Sequence, residues 1–173
     1  VKDLGYEAVL VEGPDERGID VGLLTRFPVV GLPTGVRVDT DGDLEWKKPT
    51  RAVTKVTLQI SRTSQLMVLL NHWPSRAATG AYRCKAGQVA RRVALQEMNA
   101  NRGLQVLFMG DLNDEPENSS LIDCLGSATG PMVMAAPANK PLFYNAYYDA
   151  PIQHRDRLGT YYYARESEWN ALD

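Results

Sequence analysis

The stretch from Arg51 to Ile60 (Arg-Ala-Val-Thr-Lys-Val-Thr-Leu-Gln-Ile) most constrains how this chain can fold. Apolar and polar residues alternate along it, the period of a half-buried strand. A short polar turn, Ser61 to Ser64, leads into a second apolar strand over 66–72, placed as its antiparallel neighbour. Ala86, Val89, Ala90, Val93 and Met98 then recur near helical spacing across Tyr82 to Asn101, with Gly103 as a stop. The opposite face of that helix, with Lys85, Arg91, Arg92 and Glu97, should be wet. Val106 to Met109 supplies a further strand, and Glu117 to Leu125 a short helix ended by Gly126.

Upstream, Glu7 to Val11 and Val21 to Thr25 read as strands separated by a Gly-Pro-Asp turn. Val30 to Pro49 is rich in Gly, Asp and Pro and reads as loop, with Asp39 to Asp43 as a hairpin-type turn. That acidic cluster lacks the later Glu a calcium loop requires, so it reads as a solvated turn. Ala128 to Pro141 reads as loop, and Gly159 to Tyr163 as a last strand-like segment. The pattern is that of an α/β chain whose sheets are covered by helices.

At 173 residues, 44% hydrophobic and 23% charged, one globular domain is expected. No apolar run approaches the ~18 residues that span a bilayer. A net charge of −2 argues against a generally basic nucleic-acid surface. A bound divalent cation and a few local arginines can nonetheless handle one phosphate. Cys84 and Cys124 are too few for a disulfide framework. Two buried free thiols are the expectation, with one disulfide in a secreted protein as the alternative.

The chemistry concentrates in two strand ends. Val106-Leu107-Phe108 runs into Met109-Gly110-Asp111-Leu112-Asn113-Asp114. Residues two apart at a strand end point to the same face, so Asp111 and Asn113 set a carboxylate beside a carboxamide, a site for a hard cation or a polarised water. The blander reading of Asp111 is a turn-capping residue. Leu66 to Leu70 likewise ends in Asn71-His72-Trp73-Pro74-Ser75-Arg76, and His72 is one of only two histidines. A rim His is more ordinarily bonded to a neighbouring carbonyl. The other, His154, sits in a polar loop and is assigned nothing.

Four blocks, in order, resemble the endonuclease/exonuclease/phosphatase superfamily of metal-dependent phosphoesterases. Gly18 to Val29 looks like its G-x-x-V-A-L-L-S-R-x-P-I strand. Asn71-His72 resembles its N/T-H block, Gly110 to Asp114 its G-D-F-N-D block, and Gly159 to Asp173 its G-T-Y-x-Y…W-x-x-L-D approach to the last core strand. The resemblance implies a four-layer sandwich: two mixed sheets packed face to face, helices outside, catalytic residues at one rim. It implies that Asp111 activates the attacking water or contacts a metal, and that Asn113 orients phosphate or water beside it. His72 would donate a hydrogen bond or proton to phosphate, and Asp173 would hold the family's closing His. Arg51 would meet the phosphate, against the plainer reading of a solvated strand-end arginine. Mg²⁺ is the implied cofactor, with Mn²⁺ or Ca²⁺ as substitutes.

The same comparison makes the chain, residues 1–173, a single domain truncated at both ends. On that resemblance the family's early Asn and metal-binding Glu are expected upstream of these residues, and its closing Asp-His pair downstream. Arg76 and Arg83 read as wet, Asp114 as a turn or cap residue, and Tyr144, Asn145 and Tyr161 to Tyr163 as core or rim rather than base-stacking. The function expected is metal-dependent phosphodiester hydrolysis, with nucleic acid as the first-choice substrate. The alternatives are a lipid or inositol-phosphate phosphoesterase, or a non-catalytic binding module of this fold.

Overall fold

The computed structural model describes residues 2–38, 49–149 and 159–173. The Asp39–Asp43 turn and His154 fall outside the described residues. The centre is a four-stranded mixed sheet in the order β3-β4-β5-β6: β3 (Val29–Val36), β4 (Val53–Gln59), β5 (Gln65–His72) and β6 (Gln105–Asp111). β4 pairs antiparallel with both β3 and β5. β5 and β6 run parallel, joined by the crossover helix α1 (Gly80–Ala100). An antiparallel pair, β1 (Glu7–Leu10) and β2 (Gly22–Thr25), precedes the sheet. After β6 come a π-helical turn (Ser120–Leu125), β7 (Ser127–Ala128), α2 (Gly130–Ala135) and β8 (Phe143–Tyr144). The hairpin of β9 (Tyr161–Tyr163) and β10 (Glu168–Asn170) closes the chain. The α/β class matches the expectation.

Alternation along β4 and β5 splits the apolar residues into two cores. Val53, Met67 and Leu69 face α1, packing with Ala86, Ala90, Val93, Ala94 and Leu121. Val56, Leu58, Val68 and Leu70 project the other way, against Val9, Val21 and Leu23 of the segment that carries β1 and β2. β5 is therefore buried on both faces, which explains its unbroken apolar run where β4 alternates more visibly. Each fully buried Leu or Val contributes roughly 1.5–3 kcal/mol relative to exposure. Helix, mixed sheet and second sheet lie in successive layers, as the sandwich requires.

Several expectations are corrected. The stretch from Val30, read as loop, begins with a strand, β3 (Val29–Val36). Its Gly31 and Pro33 are tolerated because β3 is an edge strand whose register shifts between Val30 and Thr34, a bulge that removes them from regular pairing. The 128–141 region contains α2, a helix too short to show a period. Arg91 is not simply wet: its guanidinium donates to the Leu125 and Pro141 carbonyls, tying α1 to the segment behind it.

The cysteines are also corrected. Cys84 and Cys124 form a disulfide, with Cα atoms 5.2 Å apart, that joins α1 to the π-helical turn. Spacing in sequence gives no sign of this, because the two thiols meet only once the turn packs along α1. Gly87 permits that approach, since a Cβ there would sit 2.7 Å from the Ser120 carbonyl oxygen. Closing a loop of 40 residues should stabilise the fold by about 2–4 kcal/mol. The double variant Cys84→Ala/Cys124→Ala should lose that amount in urea unfolding. Equal stability of wild type and variant under oxidising conditions would refute the bridge.

Candidate active site

The parallel register of β5 and β6 pairs Asn71 with Gly110 and His72 with Asp111. Side chains alternate along both strands, so His72 and Asp111 emerge on the same face, at the C-terminal ends where open α/β sheets place ligands. His72 Nε2 stands 3.8 Å from Asp111 Oδ2, too far for a direct hydrogen bond. The next residue locks the junction: Trp73 N–H donates to the Asp111 carbonyl at 2.9 Å.

Asn71 points the opposite way and is 1% exposed. Its amide donates to the Leu69 carbonyl and its oxygen accepts from the Trp73 indole, so it anchors the strand end rather than facing the site. Gly110 opposite it has φ of 118°, and a Cβ there would lie 2.0 Å from the Asn71 carbonyl oxygen. Only glycine fits, which is the physical reason a Gly precedes Asp111.

Asp111 closes the turn and also faces His72. Its Oδ1 accepts from the Asn113 N–H at 2.9 Å, a turn-closing contact, while Oδ2 is the oxygen nearer His72. Asn113 adopts the left-handed φ of 53° that this turn requires. Its amide nitrogen donates to the Trp73 carbonyl at 3.0 Å, leaving the carboxamide oxygen as an acceptor. Asp114 is structural, as expected: it is buried, ion-paired with Arg83 at 2.8 Å and receives the Ser120 hydroxyl at 2.6 Å. Arg83 is thus buried, not wet.

Arg51 is no solvated strand end either. It is buried, donating from Nε to the His72 carbonyl at 3.1 Å and from Nη2 to the Trp73 carbonyl at 2.7 Å. Its Nη1 reaches Asp15 at 3.4 Å. Burial lowers its pKa, with Asp15 opposing. Burial also lowers the pKa of His72, the Arg51 charge adding to the effect and Asp111 opposing it. The imidazole is consequently neutral at pH 7, keeping one N–H to donate.

Arg51, His72, Asp111 and Asn113 line one cavity of about 350 Å³. Asp15 and Arg17, from the segment between β1 and β2, border it as well and were not singled out in the sequence. The Arg17 side-chain hydrogen bond, opposed by burial and aided by the Arg17 backbone N–H and by Arg51, lowers the Asp15 pKa to about 2. The only signal was a cluster of charges ahead of Gly18, which a surface turn would also show.

Asp173 is exposed and is not among the residues lining the cavity. Its N–H donates to the Thr160 hydroxyl at 3.2 Å. The Leu112 N–H donates to the Leu172 carbonyl, which brings the chain's end alongside the loop after Asp111. Arg76 reinforces this, donating to the Asn113 carbonyl, to Asn170 Oδ1 and to Glu115. Tyr161 and Tyr162 take the rim rather than the core: with Trp169 they are about half exposed on the β9–β10 hairpin, and the Tyr162 and Trp169 rings lie 5.2 Å apart.

Among the described residues no group of three or more His, Cys, Asp or Glu side chains could hold a metal. Of the oxygen donors at the cavity, the Asp111 carboxylate and the Asn113 carboxamide oxygen fit a hard divalent cation such as Mg²⁺, which keeps several waters and binds through one or two carboxylates plus substrate phosphate; Asp15 is taken up by Arg17 and Arg51. No helix among the described residues is long and apolar enough to cross a membrane.

The family model "Endonuclease/Exonuclease/phosphatase family" matches residues 1–173, and the chain belongs to that family. Enzymes of this family are generally hydrolases of the metal-dependent phosphoesterase or nuclease kind and typically use a divalent cation. Among solved structures, the human Nocturnin catalytic domain with bound sulfate anion shares the fold with a TM-score of 0.52 at 15% identity. The match covers 69% of this chain and 47% of that one, so the chain spans about half of that domain. No curated protein matches the chain.

Gly110→Ala should cost at least about 2 kcal/mol, from the forced φ and the clash on Asn71. Urea unfolding checks it, and a wild-type midpoint would contradict the proposed constraint.

Proposed function

We propose that this chain carries the core of a Mg²⁺-dependent phosphodiesterase, with nucleic acid as its substrate. The observation supporting it is the pairing of His72 with Asp111 across parallel strand ends, above a buried Arg51. Phosphodiester hydrolysis needs an activated water, neutralised phosphate charge and a donor for developing charge. Asp111 accepts the proton of the attacking water, or holds that water against a cation, and Asn113 orients it. Arg51 has two N–H groups beyond those bonded to Asp15 and the two carbonyls, and these meet the phosphate. Neutral His72 donates its N–H to a phosphate oxygen. Asp111 and Asn113 would hold the metal, which supplies positive charge to the phosphate when bound. Asp173 has, by resemblance, a positioning role toward a closing His.

A second reading, a lipid or inositol-phosphate phosphoesterase, is favoured by one observation: the β9–β10 hairpin exposes Tyr161, Tyr162 and Trp169. Such rings suit an interface as well as a nucleobase.

The test is hydrolysis of plasmid DNA and bis-p-nitrophenyl phosphate by the full-length protein, with Mg²⁺, Mn²⁺ or EDTA. Cleavage should require metal and fall by about 10²–10⁴-fold in Asp111→Ala. Cleavage indifferent to EDTA, or retained in Asp111→Ala, would reject the assignment. Activity confined to lipid or inositol phosphates would select the second reading.

A further inference from the structure

Segments distant in sequence meet at the guanidinium of Arg76, just beyond the His72 end of β5. Nε donates to the Asn113 carbonyl at 3.2 Å, Nη1 to Asn170 Oδ1 at 2.6 Å and Nη2 to Glu115 Oε1 at 3.0 Å. These partners lie 37, 94 and 39 residues away along the chain, so the contact is no local turn. Glu115 extends the bridge, its Oε2 accepting from the Ala171 N–H at 3.1 Å. One ion pair thus ties together the loop after β5, the turn after β6 and the end of β10. The Leu112 N–H, donating to the Leu172 carbonyl at 2.7 Å, joins the last two a second time.

Stability does not account for this pair. The Arg76 and Glu115 side chains are 42% and 33% exposed, and ion pairs in water add little to the global fold. What the pair supplies is geometry. A planar fork with N–H groups in fixed directions sets three acceptors relative to one another, which a lysine ammonium cannot do.

One of those acceptors belongs to Asn113. Its φ of 53° is left-handed, a conformation that side-chain-bearing residues hold only when their surroundings fix it. Three contacts do so. Its N–H donates to Asp111 Oδ1, its carboxamide nitrogen donates to the Trp73 carbonyl, and its carbonyl accepts from Arg76. The first two come from the strand ends themselves. The third couples Asn113 to the β9–β10 hairpin through Asn170.

We infer that Arg76, with Glu115, is a positioning residue for the candidate site. The pair clamps the Asn113 turn to residues 170–172, and through that turn fixes where the Asn113 carboxamide oxygen stands beside Asp111. Neither side chain is among the residues lining the cavity, so both act through Asn113 rather than on substrate. The effect on hydrolysis rests on the phosphodiesterase reading; the clamp itself does not.

The test compares the full-length protein with Arg76→Gln, Arg76→Lys, Glu115→Gln and the double variant Arg76→Gln/Glu115→Gln. Backbone amide hydrogen exchange, followed by NMR, reads the clamp without substrate. Exchange at the Leu112 and Ala171 N–H groups should be about tenfold faster in each Arg76 variant, with the β4–β5 ladder and the urea midpoint unchanged. For bis-p-nitrophenyl phosphate in Mg²⁺, kcat should fall about tenfold with KM within about twofold, the sign of lost orientation rather than lost binding. Lysine should not rescue the site. The double variant should be no worse than the more impaired single one, because both changes open the same clamp.

Unchanged exchange at both amides, a kcat within about twofold of wild type, or full rescue by Arg76→Lys overturns the positioning role. So does a fall in kcat that only matches a loss of folded protein. If the protein cleaves no phosphodiester, the hydrolytic reading falls and Mn²⁺ affinity, measured by calorimetry, decides the clamp separately. Affinity about tenfold weaker in Arg76→Gln keeps the positioning role, and unchanged affinity removes it.

Discussion

Everything at the candidate site depends on the parallel contact between the last two residues of β5 and those of β6. Asn71 lies against Gly110 so closely that no side chain fits between them, and the next pair along is His72 and Asp111. Parallel pairing is what delivers both side chains to one edge: two strands ending together, side chains in phase, bring a histidine and a carboxylate together without any long loop having to hold them. The crossover through α1 makes that pairing possible, and the core beneath α1 fixes its register, because Met67 and Leu69 must face the helix. A one-residue slip would turn Leu70 toward the helix and take His72 off the rim.

The supporting contacts share a logic. The Trp73 carbonyl accepts from Arg51 and from Asn113, and the Trp73 indole donates to Asn71. One residue just beyond β5 thus connects the phosphate-binding candidate, the turn after β6 and the strand end. Arg83, Asp114 and Ser120 do the same beneath the turn, in a buried ion pair that also receives a hydroxyl. Such a pair adds little net stability but is costly to break halfway. Its effect is to hold the Asp111–Asn113 loop in place. The candidate site is built on strand ends and braced by buried polar contacts, the arrangement that best limits side-chain motion at a site.

Much of this was legible in the residues. The alternation in β4, the apolar run of β5 and the helical period of α1 reported the frame, because each buries a face with its own repeat. Asp111, Asn113 and His72 were visible as polar residues closing apolar strands, and the ordered blocks around them gave the family. What stayed hidden depended on contacts between distant segments. Nothing near Cys84 announces Cys124, and nothing in the Asp15–Arg17 turn says that it borders the same cavity as residues 72 and 111. β3 was missed because its Gly31 and Pro33 carry loop signals that an edge strand with a bulge absorbs. Tyr161 to Tyr163 form the strand their sequence suggests, and of the two places open to their rings, core or rim, the exposed one is taken.

The central claim is that Asp111, Asn113, His72 and Arg51 converge on one phosphate and its cation. The most direct measurement is a crystal structure of the full-length protein grown with Mn²⁺ and a non-hydrolysable phosphodiester analogue, the ion located by its anomalous signal. The ion should bind an Asp111 oxygen, with the phosphate between it and the Arg51 guanidinium and within hydrogen-bond reach of His72. An ion seated away from Asp111, or a phosphate bound outside the cavity, would contradict it.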